Sequence, residues 1–159
     1  MRILVVSQYF WPEYFRVNDL ALELKKKNND VDVLTSYPNY PQGEIYPEFK
    51  KKKENYSKFK NINIYRVPQI PRKSGSNFSL FINYLSFLIS GIILGPFLLR
   101  KKKYDVIITF ATSPIIVAII SILLSKIKKA KHIIWVLDLW PQVLVDLDII
   151  KKILFLIIF

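Results

Sequence analysis

Cysteine is absent from this sequence, which excludes disulfides and thiolate metal sites and suits a reducing compartment. Histidine occurs once, as His132 in the strand-like run KHIIWV. No second histidine exists to form a metal pair with it, so a structural role is expected. Glycine is scarce, with 4 residues, and none lies between Ser7 and Phe15, the loop that follows the first strand. The G-x-G-x-x-G fingerprint and the Walker-type loop are both missing, which argues against a dinucleotide or triphosphate gripped in the usual way. Acidic side chains are also few: 12 Asp plus Glu face 24 Lys plus Arg, leaving a net charge of +12.

Against these absences stands a high apolar content. Residues of apolar type make up 52% of the 159 positions, and mean hydropathy is +0.24. Disorder requires low hydrophobicity together with high net charge, and only the second holds. The length suits one ordinary domain. A chain both basic and apolar points to a membrane surface. Nucleic acid is not an expected partner, because the lysines sit in isolated clusters without the aromatic interleaving of an RNA-binding sheet. The N-terminus (MRILVVSQYF) is not read as a signal peptide, since its apolar core is short and meets a Trp-Pro-Glu turn.

Periodicity orders the chain into alternating elements. Arg2 to Val6 is a β-branched run of the kind buried in parallel sheets. Val17, Leu20, Ala21 and Leu24 are spaced i, i+3, i+4, i+7 and predict a helix over Arg16 to Lys27, closed by three lysines that suit a helix C-terminus. Val31 to Thr35 is a second strand, so the first 35 residues have the size of one βαβ unit. Ser36 to about Asn61 reads as one long irregular stretch, of the kind that is usually functional or disordered. Ile62 to Val67, Val106 to Thr109 and His132 to Val136 are three further strands. A turn over Ser74 to Asn77 starts a helix, and Pro114 opens another. The expected fold class is α/β: a Rossmann-like, doubly wound parallel sheet with helices on both faces. The domain is expected to cover residues 1–148.

Phe78 to Leu99 carries no charge and is long enough to cross about 30 Å of hydrocarbon as a helix. Three features weaken that reading. Asn83, Ser86 and Ser90 recur at helical spacing, Gly91, Gly95 and Pro96 interrupt the run, and basic residues flank both ends. The favoured expectation is a long helix packed on the sheet, with an exposed apolar face and lysines that meet anionic lipid headgroups. The alternative is a membrane-anchored interaction protein in which Phe78–Leu99 spans the bilayer.

A doubly wound sheet binds ligands beyond the carboxyl ends of its strands. Three loops are expected there: Ser7 to Phe15, Ser36 to Gly43, and Asp138 to Pro141. They carry Glu13, Tyr14, Tyr40 and Trp140, with Arg16 and Asn18 just beyond the first. Aromatic faces beside amides and charged groups suit a sugar, whose C–H face stacks while its hydroxyls hydrogen-bond. Asp138 lies between Leu137 and Leu139 at a strand end, where partial desolvation would raise its pKa toward that of a general base.

The segments SQYFWPEYFRVNDLALEL, VDVLTSYPNYPQGEIY, NYLSF, TSP and WVLDLWPQVL, in this order, resemble the N-terminal domain of family 4 glycosyltransferases of the GT-B fold. The subgroup they most resemble is named WbuB, whose members help build bacterial O-antigen, capsule or colanic acid. The resemblance runs over nearly the whole chain. Two family features are replaced: the glycine pair after the first strand reads Trp11-Pro12-Glu13-Tyr14-Phe15, and the histidine after the fourth reads Ala111-Thr112-Ser113-Pro114.

What the resemblance implies is a retaining, metal-independent sugar transfer between two facing domains. The N-terminal one takes the acceptor, often a sugar on a polyprenyl diphosphate at the cytoplasmic face of the bacterial plasma membrane. The C-terminal one takes the nucleotide-sugar donor. On this basis Asp138 is the expected acceptor-hydroxyl base, and Glu13, Arg16, Asn18, Tyr40 and Trp140 the expected acceptor-binding residues. No metal or cofactor is expected. The donor domain is expected to be missing from this chain, with 149–159 the start of a truncated apolar helix and a separately encoded donor half as a possible partner. Alone, the chain is expected to be inactive.

Overall fold

The computed structural model describes residues 1–73, 76–112 and 115–137. Five parallel strands form the body of one sheet: β1 (Arg2–Val6), β2 (Asp30–Ser36), β4 (Ile62–Val67), β5 (Val106–Ala111) and β6 (Lys131–Val136). The two-residue β3 (Lys58–Phe59) pairs antiparallel with β4, and the spatial order is β3-β4-β2-β1-β5-β6. Counting only the parallel strands, the chain starts in the middle, fills one side, then crosses to fill the other. This is the Rossmann-like order, with its switch point between β1 and β5.

Strand alternation assigns the two faces. Ile3 and Val5 point to one core with Val31, Val33, Ile108 and Phe110, covered by Val17 and Ala21 of α1 (Arg16–Lys26). Leu4 and Val6 point to the other with Leu34, Ile107, Phe87, Ile120 and Leu124, covered by α3 (Asn77–Leu98) and α4 (Ala118–Lys128). Both faces of the central strands are therefore dry, as a parallel sheet requires.

The stretch expected to be irregular, Ser36 to Asn61, contains α2 (Pro47–Lys51), a 3-10 turn at Lys53–Tyr56 and β3. Its order comes from aromatic packing: Phe49 is fully buried, with its ring centre 4.9 Å from that of Tyr37 and 5.6 Å from that of Tyr56. Gly43 sits here at φ +77°, where a side chain would be strained and its Cβ would come 2.5 Å from the Lys73 carbonyl.

Helix α3 begins at Ser76, whose hydroxyl accepts from the Ser79 N–H at 3.3 Å. Asn83, Phe87, Gly91 and Gly95 form its buried stripe, one residue per turn. Gly91 has no side chain because Ile120 of α4 occupies that space: a Cβ would lie 2.4 Å from Ile120 Cδ1. Two of the lysines expected at a lipid surface are used internally. Lys128 Nζ donates to the Leu99 carbonyl at 2.6 Å and to that of Lys102 at 3.0 Å, capping the end of α3. Lys102 reaches the buried Asp32 at 3.5 Å.

Candidate functional site

At the carboxyl edge of the sheet, three loops meet: 7–15 after β1, 37–46 after β2, and 68–73 after β4. Glu13 joins the first two. Its carboxylate is buried and accepts the backbone N–H groups of Asn39 and Tyr40, both at 2.7 Å, and of Phe10 at 3.3 Å. Burial raises its pKa, while these three N–H groups and the nearby Arg66 oppose the rise. With its oxygens taken by backbone, Glu13 holds loops together rather than facing a ligand, unlike the contact role expected from its place in the sequence.

Asn18 fixes the same loop. Its Oδ1 accepts from the Trp11 N–H at 3.0 Å, and its Nδ2 donates to the Glu13 carbonyl at 2.7 Å. Arg66 does so from the opposite side, donating to the carbonyls of Ser36 at 2.7 Å, Tyr56 at 3.3 Å and Trp11. Burial lowers the Arg66 pKa to about 10, which leaves it charged at neutral pH.

Beneath the loops lies a buried amide network. Gln8 Nε2 donates to Asn83 Oδ1 at 2.8 Å and to Gln69 Oε1 at 3.1 Å, while Asn83 Nδ2 donates to the Ile70 carbonyl at 2.7 Å. Two buried polar atoms on the loops of this edge, Gln69 Nε2 and Asn39 Oδ1, have no partner among the described residues.

The aromatic part of the mouth is a packed group. Tyr9 stacks on Phe15 with ring centres 5.0 Å apart, and Tyr40 meets Phe15 edge-on at 5.1 Å. The Arg72 guanidinium lies 4.5 Å from the centre of the Tyr40 ring and donates to the Pro41 carbonyl at 3.3 Å. Burial and the neighbouring Tyr84 raise the Tyr9 pKa, so its hydroxyl stays a proton donor. Tyr14 differs from all of these. It is 98% exposed at the tip of the first loop.

Two hollows that share Arg16 and Asp19 open at the start of α1. One, of about 270 Å³, is lined by Tyr14, Phe15, Arg16, Asn18 and Asp19. The other, of about 720 Å³, runs along α1 past Leu20 and Glu23 to Phe110, Trp135 and Leu137. Arg16 and Asp19 line both, so a cation and a carboxylate stand where they meet. Such an arrangement can stack a ring, hydrogen-bond hydroxyls and pair with an anion.

The structure thus gathers Arg16, Asn18 and the Tyr40 loop at one edge, and turns Glu13 inward. Asp138 and Trp140 lie outside the described residues, as do 149–159 and Pro114. Asp19, Arg66, Gln69 and Arg72 were missing from the sequence expectations. For Arg66, Gln69 and Arg72 the available signal was the run RVPQIPR, which ends β4 and opens its exit loop, because every parallel strand delivers its exit loop to the same edge. His132 sits in the sheet, with Nε2 2.8 Å from Thr109 Oγ1. Among the described residues, no cluster of three acidic or histidine side chains is placed to hold a metal. No protein-family model matches the chain, and no curated protein matches it.

Proposed function

We propose that this chain is the acceptor-binding half of a glycosyltransferase, taking a lipid-linked sugar to which the sugar of a nucleotide-sugar is transferred. The observation that carries the reading is the pair of hollows at the carboxyl edge, where the exposed Tyr14 ring stands beside Arg16 and Asp19. A pyranose stacks its C–H face on Tyr14, and Asp19 accepts from its hydroxyls. Arg16 pairs with the phosphate that links the sugar to its carrier. Arg72 offers a second cation across the aromatic group. The loop after β1 contains no glycine, which suits a sugar better than a bare nucleotide phosphate.

Asp138, one residue beyond the hollow-lining Leu137, is our proposed acceptor-hydroxyl base. Before transfer it takes the proton of the attacking hydroxyl, and it can do so only once a donor is supplied. The proposed setting is the cytoplasmic face of a bacterial plasma membrane, in surface-polysaccharide synthesis.

Binding of a polyprenyl-diphosphate monosaccharide to the full chain, followed by intrinsic fluorescence, tests the reading. Saturable binding that weakens about tenfold in Tyr14→Ala and in Arg16→Ala is the expected result, each residue contributing on the order of 1.4 kcal/mol. Absence of saturable binding, or equal affinity in both variants, would refute it.

A further inference from the structure

Helix α3 has two opposite stripes. The buried one faces the sheet and α4; the other, including Phe81, Ile89, Ile93 and Phe97, is exposed, with Ile93 at 65%. These four positions are spaced by eight, four and four residues, so they wind along the broad side of the helix opposite the buried stripe. Helix α4 shows the same division. Ile120 and Leu124 are buried, while Ile119 and Ile122 on the other side are exposed. The two helices pack side by side on the same face of the sheet through Gly91 and Ile120. Both run from the carboxyl edge toward the amino edge, because each connects parallel strands. Their outward surface is a double apolar stripe.

An apolar surface of this kind on two helices needs a cover. Charge indicates which one. Residues 77–129 contain seven cations and a single carboxylate, Asp105, which is already paired with Arg2 at 3.2 Å. Leaving aside Lys102 and Lys128, which are used internally, Arg100, Lys101, Lys103, Lys126 and Lys129 are exposed where both helices end. Arg100 lies 4.5 Å from the ring centre of Phe97, so a cation borders the apolar stripe directly.

We infer that the outer face of α3 and α4 is a docking surface for an anionic lipid bilayer, with the helices lying flat and the cations at their ends meeting headgroup phosphates. The face deepens the reading above, on which it rests for the acceptor's lipid anchor and for nothing else. In this orientation the carboxyl edge faces along the membrane plane, while α1 and the hollows along it lie on the sheet face turned away from the bilayer. A spanning α3 does not suit this arrangement, because its buried stripe is committed to the sheet through the Asn83 amide network.

Co-sedimentation of the full chain with phosphatidylcholine vesicles, with and without phosphatidylglycerol, tests the inference in the absence of any sugar. The chain is expected to sediment only with anionic vesicles and to be released by salt and by alkaline carbonate. Phe81→Glu combined with Ile93→Glu, and separately Ile119→Glu, should weaken binding about tenfold or more while leaving the circular dichroism unchanged. No vesicle binding, or binding indifferent to these substitutions, would overturn it. Retention after carbonate would overturn it in favour of a span. A dimer in sedimentation velocity that Ile93→Glu dissociates, without vesicle binding, would assign the face to a second copy. Because no acceptor is present, failure here leaves the sugar-binding test untouched, and the reverse holds too.

Discussion

Glu13 accepts the backbone N–H of Tyr40 at 2.7 Å, so a carboxylate in the loop after β1 holds the loop after β2. The two loops form one rigid wall, on which the exposed Tyr14 is carried. Glu13→Ala would leave three backbone N–H groups without their acceptor, two of them in the buried contact between the loops. A loss of about 3 kcal/mol in urea unfolding is expected. Glu13→Gln keeps one acceptor oxygen and should lose less. The pH dependence has a definite sign. Burial raises the folded pKa, so the folded chain binds this proton more tightly than the unfolded one. The stability tied to that proton is full below the usual carboxylate range and declines as pH rises through it to the raised value. The deficit of Glu13→Gln relative to the parent should therefore narrow with rising pH; a deficit that widens would contradict the assignment.

Gly91 of α3 packs directly against Ile120 of α4. A methyl group at position 91 meets Ile120 Cδ1 at 2.4 Å and Cγ1 at 3.0 Å, and Ile120 is fully buried. Alanine improves helix propensity by about 1 kcal/mol, yet overpacking a filled core costs about 1–3 kcal/mol. The clash should win, giving a net loss of about 1 kcal/mol in Gly91→Ala. Ile120→Val removes the atom at fault, so the double variant should be more stable than Gly91→Ala alone. Simple addition of the two losses would show that the helices do not meet as described.

How much of this was legible from sequence varies with the range of the forces involved. Arg2–Val6 and Ile62–Val67 matched at both ends, because β-branched runs bounded by turn residues declare themselves locally. Helix α3 shifted by one residue at each end. The stretch from 36 to 61 was misjudged, since α2 and the 3-10 turn are too short to show a period and are held by Phe49 finding Tyr37 and Tyr56. At the site, the types and neighbourhood of Arg16 and Asn18 were readable from their position after a strand. The direction of Glu13 was not. A loop carboxylate faces solvent or backbone according to what a distant loop brings to it, here Asn39 and Tyr40.

Tyr104 donates its hydroxyl to Asp32 at 2.8 Å, and Asn63 donates to the other Asp32 oxygen at 2.7 Å. Asp32 is buried in β2 with the more exposed Lys102 at 3.5 Å, so the pair fastens the segment after α3 to the sheet. Burial and the Asp32 charge raise the Tyr104 pKa, which keeps the donor protonated into alkaline pH. Tyr104→Phe should cost about 2 kcal/mol by leaving a buried carboxylate short of a donor. The Tyr104→Phe and Asp32→Ala losses should be strongly non-additive, because either one breaks the same bond. Independent losses in thermal or urea unfolding would sink this account.

His132 offers the cleanest titration, being the only histidine in the sequence. Its ring lies against Thr109 in the sheet, and burial lowers its pKa from the ordinary value. The folded chain therefore binds this proton less tightly than the unfolded chain. Stability from this group is full above the ordinary histidine value of about 6.5 and is lost as pH falls through it toward the lowered folded value. In NMR, the imidazole carbon-bound protons should titrate as one set with a midpoint below about 6.5. Thr109→Val should leave that midpoint depressed, since burial rather than the hydroxyl sets it. His132→Asn should remove the part of the acid-side stability loss that lies just below the histidine range, while leaving the carboxylate part in place. A midpoint at or above the ordinary value would mean that the ring is solvated, and that β6 does not lie against β5 at Thr109.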